Sequence, residues 1–197
     1  MTVNPVGGGT TVVLQRGLNG YAGATDTYLD RYLSTTARGG ITPLMVDPVN
    51  YNPLVRFAIF QSEGGPVPNG AIIQSATLTL YKGYYNDALR LNALLKPWVE
   101  AQATWVNASA GVPWTVVGAA GSGSDYVAAA DAVIVPGWDP GLINFSVASR
   151  VQQWSNSGGN YGWRMSQTTS GSNSKAFTAS EYAADTTLRP KLTVTYQ

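Results

Sequence analysis

The chain carries neither histidine nor cysteine in its 197 residues. That double absence removes Ser-His-Asp and Cys-His nucleophilic sites, His/Cys zinc sites, disulfides and iron–sulfur ligation. The chemistry left is that of carboxylates, of Ser and Lys, of oxygen-ligated metals, or of binding without turnover. A glycoside hydrolase needs two carboxylates across a cleft. The chain has 11 Asp and Glu, and no two of them have a spacing that argues for such a pair. Asp26 and Asp30 have the same parity on a predicted strand, so both can project from one face. With backbone carbonyls they can hold a structural calcium ion, the one cofactor the residues suggest. The alternative is ion pairing with Arg56 or Arg189.

The aromatic supply points to contact chemistry. There are 6 Trp and 11 Tyr, and an aromatic face suits the apolar face of a sugar ring when polar groups flank it. Trp98, Trp105, Trp154 and Trp163 stand beside apolar residues and read as core or cap packing. Trp138 lies in the turn-like Pro136-Gly137-Trp138-Asp139-Pro140, where it serves either as a latch over a sheet end or as a ligand platform. Tyr84 and Tyr85, in Gly83-Tyr84-Tyr85-Asn86-Asp87, are the best platform candidates. Lys82, Arg90 and Lys96 fall on a predicted hairpin over Leu80 to Lys96, where Lys82 and Arg90 would be cross-strand neighbours. They supply cations for an acidic ligand, or charges that guard a sheet edge. The candidate ligand-binding set is therefore Tyr84, Tyr85, Lys82, Arg90 and Trp138.

The elements that must position these residues are strands. The dominant rhythm is period 2, broken by Gly, Pro, Asn and Ser clusters. It predicts strands over Thr10–Gln15, Thr25–Leu33, Leu54–Gln61, Ile72–Lys82, Leu142–Val147, Tyr161–Ser166, Lys175–Ala179 and Lys191–Tyr196. Ala76, Leu78 and Leu80 share one face of the fourth. Leu89 to Lys96 fits either period, and its β surroundings favour a strand. Val147, Val151 and Trp154, at i, i+4 and i+7, predict one or two helical turns over Ser149 to Trp154. Long loops are expected over Ile41 to Pro53 and Pro113 to Pro140. About nine or ten short strands without α/β alternation predict one all-β domain over residues 1–197. Its architecture is an antiparallel β-sandwich, or jelly roll, with one short helical segment.

Composition narrows the partners. Charged residues make up 12% of the chain, about half the usual share of roughly 25%. The net charge is +1 and the basic residues form no run, so no footprint for nucleic acid is visible. No apolar stretch approaches the roughly 18 residues of a spanning helix, which argues against membrane insertion. Met1-Thr2-Val3-Asn4-Pro5 shows none of the charged and apolar regions of a secretory signal.

Several segments, in order, resemble the disaggregatase-related family, often called DNRLRE domains. Asp26-Thr27-Tyr28-Leu29 is similar to the family's early strand, and Leu54-Val55-Arg56-Phe57 to its "LLRF" strand. Ile73-Gln74-Ser75-Ala76-Thr77-Leu78-Thr79-Leu80-Tyr81 is similar to "I-x-SATL-x-LY". Trp98-Val99-Glu100 with Thr104-Trp105-Val106-Asn107 resembles "W-x-E…TWN". Val151-Gln152-Gln153-Trp154 with Asn160-Tyr161-Gly162-Trp163 resembles "VQ-x-W…NYGW". Phe177, Ser180-Glu181 and Arg189 to Tyr196 resemble the closing segment. The resemblance spans about residues 11 to 196, and the two long loops are departures from it. It implies a carbohydrate-binding-module-like jelly roll, some members being modules that bind alginate. At their family-like positions, Glu100 and Glu181 are expected to organise loops as hydrogen-bond acceptors. The expected function is a non-catalytic carbohydrate-binding or adhesion module, extracellular or displayed on a cell or virion surface, with a polysaccharide or glycan as partner. The alternative is a structural component of a large assembly, such as a virion decoration, fibre or tail protein or a filament subunit, with neighbouring subunits as partners. A polysaccharide lyase or hydrolase is the third and weakest reading, since a lyase without histidine would need Tyr, Lys or Arg as base.

Overall fold

A computed structural model describes residues 8–168 and 175–197. The described residues form thirteen strands: β1 (Thr10–Gln15), β2 (Ala24–Asp30), β3 (Leu44–Val46), β4 (Tyr51–Phe57), β5 (Ile73–Lys82), β6 (Leu89–Ala93), β7 (Asn107–Ser109), β8 (Val112–Pro113), β9 (Ala132–Ile134), β10 (Gly141–Ser146), β11 (Trp163–Gln167), β12 (Lys175–Phe177) and β13 (Lys191–Tyr196). One helix, α1 (Ala148–Ser157), lies between β10 and β11. The first sheet runs β1-β13-β5-β12-β3, with β10 on the other edge of β5. The second runs β2-β4-β11-β6-β9. Every described pairing between named strands is antiparallel, and the fold is an all-β sandwich.

Period 2 decides which residues meet between the sheets. Leu78, Leu80, Leu192 and Val194 of the first sheet pack with Val55, Phe57, Leu91 and Met165 of the second in one core. The helical stripe adds Val151 and Trp154, and the Trp154 ring lies 4.6 Å from that of Trp163. Leu54 and Val55 point to opposite faces of β4, and both are buried. Val55 faces the inter-sheet core, whereas Leu54 joins a second cluster with Leu29, Leu94, Trp98 and Trp114. The segment that leaves β6 and returns at β9 thus covers the outer face of the second sheet. The expected long loop over Pro113 to Pro140 is part of this cover. The carboxylate of Asp125, fully buried, holds it by accepting the backbone N–H groups of Thr115 (2.7 Å), Val116 (2.9 Å) and Gly121 (2.9 Å).

Several boundaries differ from expectation. The strand expected to reach Leu33 stops at Asp30, whose Oδ1 accepts the N–H groups of Tyr32 (2.9 Å) and Leu33 (3.2 Å) and turns the chain. The expected loop over Ile41 to Pro53 contains β3 and the start of β4. β3, β7, β8 and β9 were not visible as alternation because each has three residues or fewer. α1 is longer than the predicted turns. Lys82 and Arg90 are not cross-strand neighbours, because β5 and β6 lie in different sheets.

The register brings several connections to one end of the sandwich. Lys82 is opposite Gly141 and Phe177 in the first sheet; Leu89 is opposite Gln167 and Ile134 in the second. Residues 83–88, 135–140 and 47–50 each cross from one sheet to the other at this end.

Candidate functional site

The crossing connections carry the exposed aromatic groups. Tyr84 is 62% exposed and Trp138 54% exposed. Their ring centroids are 6.0 Å apart with the planes inclined at 41°, so the two rings form one surface patch. The Nζ of Lys175 lies 5.8 Å from the centroid of the Trp138 ring. A tilted aromatic pair beside an ammonium offers apolar faces and a charged donor to the same ligand.

The patch is held from beneath. The Tyr85 N–H donates to the Trp138 carbonyl at 2.9 Å, tying one connection to the other. Lys82 shares parity with Leu78 and Leu80, so it points inward at the strand's end and is buried. Its ammonium donates to the carbonyls of Gly83 and Trp138, both at 3.3 Å, and to that of Asp139. Burial pushes the Lys82 pKa below its usual value, with the Asp139 carboxylate opposing. Tyr85 is fully buried, its ring edge-on to Phe177 at 6.0 Å, and burial raises its phenol pKa.

The expected ligand set therefore divides. Tyr84 and Trp138 come together on the surface. Tyr85 and Lys82, expected at the surface, are supports, because the strand parity and the turn direct both inward. Arg90 is exposed on β6, opposite in parity to the buried Leu89 and Leu91, and so lies on the other face of the second sheet. Lys175 was missed, since nothing in its polar surroundings marks it in the sequence. A second aromatic group was missed too. Tyr32, 71% exposed, lies 6.1 Å from Tyr51, which meets Tyr28 edge-on at 5.7 Å.

The two aspartates expected to share an ion also separate. Asp30 Oδ2 accepts from both Nε (3.1 Å) and Nη2 (2.6 Å) of Arg38. Arg56 and Arg189, the expected partners, instead donate to the carbonyls of Asn160 (3.0 Å) and Tyr182 (2.7 Å). Asp26 meets two other carboxylates, Glu100 and Glu181; one ligand oxygen from each of the three lies within 4.8 Å of the others. Asp26 Oδ2 accepts the Ser180 N–H at 2.8 Å, and the Asp26 N–H donates to Glu100 at 2.8 Å. Ser180 Oγ donates to Glu181 at 2.9 Å. Arg16 donates to Glu181, and its Nη1 is 4.0 Å from Glu100. Burial, then the nearby Glu181 and Glu100 charges, push the Asp26 pKa up to about 8 against the Ser180 N–H. Burial raises the Glu100 pKa as well, opposed by the Asp26 N–H. The expected acceptor roles of Glu100 and Glu181 are thus observed, at a seam where three distant segments meet.

Among the described residues no helix is long and apolar enough to cross a membrane. No protein-family model matches the chain, and no curated protein matches it.

Proposed function

We propose that the protein is a non-catalytic carbohydrate-binding module, displayed extracellularly or on a cell or virion surface, that grips a polysaccharide with Tyr84 and Trp138. The observation that carries this reading is the exposed pair of rings at 6.0 Å with Lys175 beside it. Large exposed aromatics are costly to leave in water without use, and two in contact make a patch rather than a scatter. The segments that resemble the DNRLRE family support the same reading. Against an enzyme stands the burial of Asp26, which keeps a sugar chain away from the densest carboxylate cluster. The test is affinity electrophoresis in gels containing alginate, pectin or a neutral glucan. The parent chain is expected to be retarded by at least one of them, and Trp138→Ala and Tyr84→Ala to migrate freely in it. Free migration of the parent chain in all three overturns the reading.

A second reading, a structural component of a large assembly, rests on a different surface. Among the described strands β1 pairs only with β13, leaving an edge. A groove of about 620 Å³ lies alongside, lined by Val13, Leu18, Tyr21 and Pro66 among others. An open edge is a template for a strand from another subunit. Light scattering separates the readings, since a monomer at high concentration counts against assembly.

A further inference from the structure

We propose that Asp26, Glu100 and Glu181 bind a divalent cation of the calcium type at the seam beside β2. The site is independent of the glycan reading. Three carboxylates from three parts of the chain converge within 4.8 Å, and Asp26 is 1% exposed. Convergence alone is common among acidic residues. What distinguishes this cluster is that two of its oxygens, Asp26 Oδ1 and Glu181 Oε2, are buried with no hydrogen-bond partner. A buried carboxylate oxygen without a donor is costly, and coordination to a cation is the means that relieves it.

The charge fits. Arg16 is the cation beside the cluster, and it engages Glu181 through Oε1, the oxygen that Ser180 also donates to. Around a bound ion, where Asp26 would give up its proton, one guanidinium against three carboxylates leaves two negative charges, which one divalent ion neutralises. The donor chemistry selects the ion. All candidate ligands are hard oxygens, which suit calcium or magnesium rather than zinc or copper. The carboxylates come from a strand and two loops and are already anchored by Ser180, Arg16 and the Asp26 N–H. Calcium accepts such an irregular shell, whereas magnesium demands near-ideal octahedral geometry and retains its waters.

The ion would join β2 to the turn after Trp98 and to the turn after β12, so its binding is read as stability. The experiment uses the full chain, stripped with EDTA, and compares thermal unfolding in millimolar CaCl2, in millimolar MgCl2 and in EDTA at neutral pH. Calcium is expected to raise the midpoint by at least about 3 °C, and calorimetry to show one site. Asp26→Asn and Glu181→Gln are expected to unfold in EDTA at or above the parent midpoint, because each removes an acidic group from the crowded cluster, and to lose the calcium response. If one variant does not fold, the other gives the answer. No calcium response in the parent chain, a response that both variants keep, or an equal response to magnesium overturns the proposal.

Discussion

Two buried aspartates of this protein, Asp125 and Asp26, have opposite environments. Both are essentially inaccessible to water. Asp125 receives three backbone N–H groups and has the Lys96 ammonium 3.5 Å away. Burial opposes its ionisation, yet those donors outweigh burial and hold its pKa below the ordinary value. Asp26 receives one N–H, which does not offset its burial, and it also faces two like charges, so its pKa rises. The same side chain at the same depth is a completed internal anchor in one place and an incomplete site in the other. Burial does not separate a structural carboxylate from a ligating one; the supply of donors does.

The largest effect is expected from removing the completed anchor. Asp125→Ala strands three backbone N–H groups, that of Gly121 buried, and should cost about 3 kcal/mol in urea unfolding; a loss under about 1 kcal/mol would break the comparison. The pH dependence follows from the same group. Its depressed pKa means that its stabilisation is full above 3.8 and is lost as pH falls through the lower folded value. Acid titration of the Asp125→Asn variant should therefore lack part of the stability loss that the parent chain shows below that pH. Trp138→Ala should weaken polysaccharide binding about tenfold or more while changing stability by less than about 0.5 kcal/mol. Arg38→Met takes two hydrogen bonds from Asp30 but leaves its two backbone donors in place, an intermediate case that should cost about 2 kcal/mol. The smallest change is expected for Asp26→Asn in EDTA, within about 1 kcal/mol of the parent chain and on the stabilising side.

The legible parts of the fold were those whose residues alternate over a whole strand. β1 and β13 begin and end at the predicted residues because they pair with each other over six positions, with Leu192 and Val194 of β13 buried on one face. β3 and β9 were illegible for the opposite reason. They exist because β12 and β6 offer partners in register, and three residues carry too little period to announce that. The site was half legible. Tyr84 and Trp138 stood out as aromatics in turns, but no spacing between positions 84 and 138 tells that two connections cross at one sheet end. The inward turn of Lys82 was readable in principle, since it shares parity with Leu80; its charge argued for the surface. Glu100 and Glu181 could be placed only as acceptors, since their meeting with Asp26 depends on three distant segments closing together.

Lys82 has a consequence for chemical labelling. It is the buried one of the four lysines, while Lys96, Lys175 and Lys191 reach solvent in part. Its amine is engaged by carbonyls of the Trp138 turn, so an acylating reagent reaches it only when residues 135–140 lift away. The rate at which that one amine becomes modified is a built-in clock for the opening of the aromatic end, readable by mass spectrometry without adding any probe to the Tyr84–Trp138 surface.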